Sequence, residues 1–277
     1  MSQSPYTKVV VIGSGAIATG LAAVATSCTP EVMVLARSSE SAERARERCE
    51  ELLARVEGGE GGRLSFTEDP AAASGAGLLV EAIAEDLQAK VEIISTVQAE
   101  APKADLATTT SSLGVAEIGE GAGCPDRLVG LHVFNPVTEM RLVELCSPRD
   151  VRSEVTDRVR TWCEAAGKTA VEVPDTPGFV VNRLLFPYLF DAVRLGETTG
   201  LSPEDIDRCM VLGPNYPLGP HALLDLVGLD VAEAIGQALH AESGNDDHLA
   251  PDAVRHLVAE GKLGRKAGEG FFDYRSA

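Results

Sequence analysis

The feature that most constrains the fold is a glycine-rich turn close to the start of the chain. Four β-branched residues at positions 9–12 are followed directly by Gly-Ser-Gly-Ala-Ile-Ala at positions 13–18. This is the pattern G-x-G-x-x-A between a strand and a helix, in which the first glycine permits a tight turn and the second lets backbone N–H groups approach a pyrophosphate. The small last residue allows close packing of helix on strand. The pattern therefore predicts a dinucleotide-binding turn built on Gly13, Gly15, Ala16 and Ile17.

The end of the second predicted strand indicates which dinucleotide binds. An acid at this position commonly holds the ribose hydroxyls of NAD, and it would repel the 2′-phosphate of NADP. Here the position is occupied by Ala36, followed by Arg37 and Ser38, which could bind a phosphate through charge-assisted hydrogen bonds. The sequence favours NADP(H). The alternative is that Arg37 is solvated and that NAD binds through other contacts.

Composition restricts the class of protein and its partners. The chain has 277 residues, of which 44% are apolar, and a net charge of −18. A core of ordinary size is expected, whereas a general nucleic-acid binder is not, because neutralising phosphates requires a basic surface. Residues 9–28 carry no charge, but their glycines favour a buried strand, turn and helix over a signal peptide or a membrane span.

The six cysteines are scattered, without C-x-x-C spacing or a Cys/His cluster. This distribution is typical of reduced, buried thiols and gives no reason to expect a metal site. We therefore expect a cytoplasmic protein.

Strand-like and helix-like segments alternate along the first two-thirds of the chain. Strands are predicted at 8–12, 32–35, 64–66, 78–81, 106–108, 128–133, 141–145 and 169–173. Helices are predicted near 16–28, 40–56, 87–99, 151–166, 179–198, 203–213, 219–241 and 250–260. The alternation indicates an α/β fold with a doubly wound, mostly parallel Rossmann-type sheet. We predict a dinucleotide-binding domain over 1–176, followed by a smaller all-helical domain over 177–277.

One histidine stands out as a candidate catalytic group. His132 lies at the end of the predicted strand 128–133, near an edge of the sheet where the sites of such folds gather, and Glu144 lies in the next predicted strand. A carboxylate on a neighbouring strand could hold the imidazole in one tautomer. A lone histidine is more often structural, so the pairing is what raises His132 as a candidate.

Several separated motifs, taken in order, resemble the 3-hydroxyacyl-CoA dehydrogenase family over nearly the whole chain. They lie at 11–20, 81–85, 110–113, 132–137 with Glu144, 177–183, 216–220, 264–266 and 270–274. The resemblance implies hydride transfer between a nicotinamide cofactor and a 3-hydroxyacyl thioester of fatty acid metabolism, in a protein that is commonly a homodimer. It also implies that the helical domain over 177–277 is the substrate and dimerisation domain.

The resemblance also implies roles for individual residues. His132 would be the general acid/base, and Glu144 would orient it and stabilise its charged form. Ser111 and Asn182 would hydrogen-bond the reacting oxygen, and Glu85 and Lys90 match positions near the nicotinamide ribose. Ser111 could instead cap a helix, and Asn182 could satisfy backbone at a buried helix start.

One departure from the family leaves the substrate open. The family carries a longer helical hairpin before the third strand, where this chain has one helix and the sequence Gly-Gly-Glu-Gly-Gly at 58–62. The acyl group could be carried by coenzyme A, by a shorter pantetheine thioester or by an acyl carrier protein. A free hydroxy acid is a further alternative, and so is a non-enzymatic descendant of the fold, against which the intact pair of His132 and Glu144 argues.

Overall fold

The structure, a computed structural model, describes residues 4–56 and 61–275. It divides into two compact units, the first ending at Thr176 and the second beginning at Pro177. Of the sequence Gly-Gly-Glu-Gly-Gly, residues 58–60 lie outside the described part. Across the described ranges, no helix combines the length and the apolar character needed to cross a membrane.

The first unit is built on one eight-stranded sheet. Its strands are β1 Lys8–Ile12, β2 Glu31–Leu35, β3 Arg63–Thr67, β4 Leu78–Glu81, β5 Asp105–Thr108, β6 Leu128–Val133, β7 Leu142–Cys146 and β8 Thr169–Val173. They are ordered β3-β2-β1-β4-β5-β6-β7-β8, and every neighbouring pair is parallel except β6 and β7. The predicted doubly wound, mostly parallel sheet is confirmed.

The helices of this unit are α1 Ala16–Ala25, α2 Ser39–Leu53, α3 Leu87–Glu100, α4 Val115–Gly121 and α5 Ser153–Ala165. From Ala18 to its end, α1 is buried on every side, which explains the uncharged stretch in the sequence. In contrast, α2 buries only one face, at Ser41, Ala45 and Cys49. Sequence reasoning missed α4, which is only seven residues long and includes two glycines.

The described residues of the second unit form helices, turns and two isolated β-bridges near the C-terminus. Its α-helices are α6 Val181–Thr199, α7 Pro203–Leu212, α8 Pro220–Val227, α9 Leu229–Ser243 and α10 Asp252–Ala259. The prediction of a single helix over 219–241 was wrong, because Gly228 adopts a φ of 105° and separates α8 from α9. Its N–H closes α8 on the carbonyl of Leu224 at 2.9 Å. A positive φ is open to glycine at little cost, so the break occurs there.

Two buried carboxylates organise the second unit. Asp207 on α7 accepts hydrogen bonds from the backbone N–H groups of His221 and Ala222, both at 2.9 Å, and so caps α8. Its Oδ1 also lies 2.9 Å from Nδ1 of His221. Asp225 on α8 accepts from the N–H groups of Phe271 and Phe272 at 2.9 and 3.0 Å. The contacts of Asp207 give His221 a structural role. Those of Asp225 attach the C-terminal segment to the helices.

Candidate active site

A cleft of about 900 Å³ opens at the carboxyl ends of the central strands of the first unit. Strand order reverses between β1 and β4, so the helices that follow these strands leave on opposite faces. Ligands of doubly wound sheets bind at such a switch point. The cleft is lined by residues 12–17, 35–37, 68, 70, 82–85, 89, 92–93, 96 and 109.

The glycine turn forms one wall of the cleft and fits a pyrophosphate. Gly13 has a φ of 131°, and a Cβ there would collide with the carbonyl oxygen of Ala82. A Cβ on Gly15, which lines the cleft, would meet nothing within 4 Å. The N-terminus of α1 has no side-chain cap, which leaves its N–H groups and the helix dipole to attract negative charge. These local donors oppose the acidic field of the whole protein.

Of the three residues that follow β2, two line the cleft and the third caps a helix. Ala36 is 3% exposed, and both it and Arg37 line the cleft. Ser38 is absent from the described lining residues and instead accepts a hydrogen bond from the N–H of Ser41 at 3.2 Å, as the N-cap of α2. Ser38 therefore caps a helix in this structure, and its contact with the cofactor stays a prediction.

Sequence reasoning missed Glu68 at this end of the cleft. Glu68 follows β3, whose last residue Thr67 pairs with Leu35 at the end of β2, so it lies beside the segment that carries Arg37. Its carboxylate accepts a hydrogen bond from Oγ of Ser39 at 2.9 Å. The sequence carries no local signal for this position, because only the pairing of β3 with β2 brings Glu68 to the cleft.

Glu85 connects the loop after β4 with the loop after β5. Its Oε1 accepts hydrogen bonds from the N–H groups of Ser111 and Ser112 at 2.8 and 2.9 Å and from Oγ1 of Thr110 at 2.7 Å. The Ser111 hydroxyl lies 3.4 Å from the same oxygen. Burial alone would raise the pKa of Glu85, but the Lys90 ammonium and these hydrogen bonds more than offset it, so the pKa lies below its usual value.

Lys90 does not belong to the described lining of the cleft. Its side chain has no exposed surface, and its Nζ lies 2.8 and 3.0 Å from the two carboxylate oxygens of Glu81 and 3.4 Å from Oε2 of Glu85. In this structure its ammonium is covered by protein and contacts these two carboxylates, and the contact of Lys90 with the nicotinamide ribose stays a prediction.

His132 and Glu144 face each other across the antiparallel pair β6–β7. Nδ1 of His132 lies 2.6 Å from Oε2 of Glu144, and the two residues are 6% and 1% exposed. The ring packs against Phe134 with centroids 4.7 Å apart. A carboxylate at Nδ1 favours the tautomer with its proton on that nitrogen, which makes Nε2 the nitrogen able to accept a proton.

The loops after β4, β5 and β6 leave the same edge of the sheet, because these strands are parallel. The chain thus brings Glu85, Ser111 and the end of β6 with His132 to that edge. Asn182, the remaining predicted site residue, lies in the second unit, where it is the second residue of α6 and 7% exposed.

Comparison with known proteins identifies the family whose members this chain is similar to. Residues 8–176 match the NAD binding domain of 3-hydroxyacyl-CoA dehydrogenase, and residues 178–274 match its C-terminal domain. Mitochondrial hydroxyacyl-coenzyme A dehydrogenase of Rattus norvegicus is 36% identical, covering 96% of this chain and 91% of that protein. A probable 3-hydroxybutyryl-CoA dehydrogenase of Bacillus subtilis is also 36% identical, covering 96% and 97%.

A solved structure is similar over the same extent. The crystal structure of (S)-3-hydroxybutyryl-CoA dehydrogenase from Ralstonia eutropha superposes with a TM-score of 0.90 at 28% identity, covering 97% of this chain and 99% of that one. Both units are therefore represented in the matched proteins.

Proposed function

This chain belongs to the 3-hydroxyacyl-CoA dehydrogenase family, and on that premise we propose that it interconverts 3-hydroxyacyl and 3-ketoacyl thioesters. The observation that carries the proposal is the buried contact of 2.6 Å between His132 and Glu144, near the end of a strand that is parallel to the strands whose ends line a cleft that fits a dinucleotide. A structural descendant of the fold would have no need of such a proton-transfer pair.

In the oxidative direction, His132 takes the proton of the substrate hydroxyl as the hydride leaves the same carbon. A bound nicotinamide supplies the hydride acceptor. Glu144 orients the ring through Nδ1 and stabilises the positive charge that His132 acquires. In the reductive direction His132 returns the proton to the ketone oxygen. We propose that Ser111 and Asn182 donate hydrogen bonds to this oxygen, where negative charge develops.

The glycine turn would hold the pyrophosphate through Gly13, Gly15 and the first residues of α1, which include Ala16 and Ile17. Glu85 would lie near the nicotinamide ribose of the cofactor. We propose NADP(H) as the preferred cofactor, since Ala36 contributes no charge and Arg37 lines the cleft. Glu68 is an opposing charge in the same cleft, so we expect the preference to be modest.

We propose a coenzyme A thioester as the substrate, because the matched relatives are named as dehydrogenases of hydroxyacyl or hydroxybutyryl esters of coenzyme A. An acyl group on a carrier protein stays the alternative, and so does a free hydroxy acid. The homodimer and the cytoplasmic location also stay predictions.

The test is the reduction of acetoacetyl groups by the purified protein. The reaction is monitored through the loss of NADPH or NADH absorbance. The acetoacetyl group is supplied on coenzyme A, on a pantetheine stub and on acyl carrier protein, and free acetoacetate is the fourth substrate. We expect coenzyme A to give the highest kcat/KM. His132→Ala should lower kcat by about 10²–10⁴-fold and leave cofactor binding intact, as loss of a positioned acid–base group does. Full activity in that variant, or no activity of the wild type on any of the four substrates, would overturn the proposal.

A further inference from the structure

The loop that carries Ser111 is held at both of its ends by carboxylates from other parts of the chain. Its first part is bonded to Glu85 through backbone N–H groups. Its last part leads into α4, whose first two residues, Val115 and Ala116, donate their N–H groups to the two oxygens of Asp175 at 2.9 and 2.8 Å. Asp175 therefore caps α4 from a position 60 residues further along the chain.

The register of the sheet explains how Asp175 comes close to this loop. Thr108 ends β5 and Val173 ends β8, and the pairing through β6 and β7 places these two residues at the same level of the sheet. Asp175 follows the end of β8 by two residues. Burial and then the neighbouring carboxylate of Asp175 raise the pKa of the Cys146 thiol at the end of β7. Asp175 thus lies where the ends of β7 and β8 meet the start of α4.

The stability of α4 alone does not require a distant cap. The N-cap position is occupied by Gly114, whose φ of −64° and ψ of 123° are open to any residue. A Cβ there would lie 3.6 Å from the nearest atom, which belongs to Glu117, so a larger residue would fit. Ser or Asp at this position could accept from the N–H groups of the first turn. A local cap would leave loop and helix free to shift together, whereas Asp175 attaches them to the end of β8.

Side-chain oxygens, and not backbone carbonyls, bind most of the N–H groups of this loop. The N–H of Leu113 donates to Oγ1 of Thr110 at 3.0 Å, and the Thr110 hydroxyl donates to Glu85 at 2.7 Å. The N–H groups of residues 111–113, 115 and 116 all donate to side chains. The conformation of the loop therefore depends on two carboxylates, Glu85 near its start and Asp175 at its end.

We propose that Asp175 is a positioning residue of the active site, which anchors the end of the loop 110–114 and thereby fixes the place of Ser111. The inference rests on the proposed function, in which Ser111 donates a hydrogen bond to the reacting oxygen. Asp175 acts through the backbone of the loop, since both of its carboxylate oxygens accept N–H groups of α4. Without this anchor Ser111 can move relative to the sheet, and displacement of a hydrogen-bond donor lowers the rate of the chemical step.

The test is a double-mutant cycle between Asp175→Asn and Ser111→Ala, in which kcat for acetoacetyl-CoA is measured at saturating NADH. We expect Asp175→Asn to lower kcat at least about fivefold, because the amide has one accepting oxygen and its NH₂ group opposes the second N–H. In the Ser111→Ala background the same substitution should change kcat by less than about twofold, since the group that Asp175 positions is already absent. A variant that only lost folded protein would lose the same factor in both backgrounds.

A second variant separates the anchor from the helix cap. Added to Asp175→Asn, Gly114→Ser supplies a local acceptor, and Glu117 three residues later completes a capping box. We expect this combination to regain Tm but not kcat, because α4 is then capped without being attached to the segment after β8. It also provides a folded protein for the assay if Asp175→Asn alone does not fold.

The matched control is Asp207→Asn. Asp207 caps α8 in the same way from another helix, through the N–H groups of His221 and Ala222, both at 2.9 Å. This variant should lower Tm and retain the kcat of the wild type. A loss of kcat as large as that of Asp175→Asn would contradict the proposal, because the loss of any capping carboxylate would then be sufficient.

Wild-type kcat in folded Asp175→Asn, or an equal loss in both backgrounds, would overturn the positioning role and leave the proposed function intact. Recovery of kcat on adding Gly114→Ser would do the same. A Ser111→Ala variant with wild-type kcat would overturn the positioning role together with the proposed role of Ser111, whereas His132→Ala tests the reaction independently. An inactive wild type would overturn both the inference and the proposed function.

Discussion

Replacing Glu144 by Gln tests how much the charge of Glu144 contributes to proton transfer by His132. The substitution keeps the shape of the side chain and removes the negative charge that lies 2.6 Å from Nδ1 of His132. Both residues are less than a tenth exposed, so solvent screens the interaction weakly. A hydrogen bond to a charged group contributes about 1.5–3 kcal/mol, which corresponds to a fall in kcat of about 10- to 150-fold if it is lost in the transition state.

The assay is steady-state reduction of acetoacetyl-CoA, with the affinity for NADH measured separately by fluorescence titration. Asp207→Asn is the matched control, because Asp207 is also a buried carboxylate bonded to a histidine, at 2.9 Å from Nδ1 of His221. We expect the control to lower the stability of the protein and to leave kcat near the wild-type value. A Glu144→Gln variant with kcat within about threefold of the wild type would refute the reasoning, because a charge-assisted contact would then contribute less than 1 kcal/mol to the reaction.

Two further predictions concern the cofactor and the thiols. Arg37→Gln should lower the affinity for NADPH by about tenfold relative to NADH, and Glu68→Gln should raise it, because one charge attracts a 2′-phosphate and the other repels it. Fluorescence titrations measure both affinities. An equal ratio of NADPH to NADH affinity in both variants and the wild type would exclude these side chains as determinants of cofactor preference. Burial raises the pKa of Cys49 and of Cys163 to about 12, whereas Cys209 is exposed, so an alkylating reagent at pH 8 should label Cys209 first in the native protein. Mass spectrometry of the labelled peptides checks the order, and early labelling at Cys49 or Cys163 would contradict it.

The sheet could be predicted because its strands carry a local signal. Buried parallel strands are short apolar runs bounded by turns, and all four residues of β4 are fully buried, as are the last four of β1. The glycine turn could be predicted for the same reason, since its backbone requirement is met by residue type alone. Where a local signal was weak, prediction failed: α4 is too short to establish a period, and the apolar period at 219–241 continues through Gly228.

The roles within the cleft could be predicted only in part. The spacing of His132 and Glu144 indicated two neighbouring strands, but their direct opposition depends on the register of β6 and β7. Burial was the information that the sequence did not contain. Lys90 matches a position associated with the cofactor, and only the fold shows that its ammonium is covered by protein. Glu68 could not be found because β3 had to be placed beside β2 first.

The single antiparallel pairing in the sheet explains why the proton-transfer pair can be so well ordered. If β7 were parallel to β6, the residue beside the end of β6 would lie at the end of β7 or in the loop that follows β7. Instead β7 runs back along β6, so that Glu144 is the third residue of a five-residue strand, paired with β6 on one side and with β8 on the other. Directly opposed side chains of an antiparallel pair lie on the same face of the sheet, whereas a shift of one residue would turn the carboxylate to the other face. The contact between Glu144 and His132 is therefore fixed by the backbone hydrogen bonds of three strands, and it does not depend on the conformation of a loop.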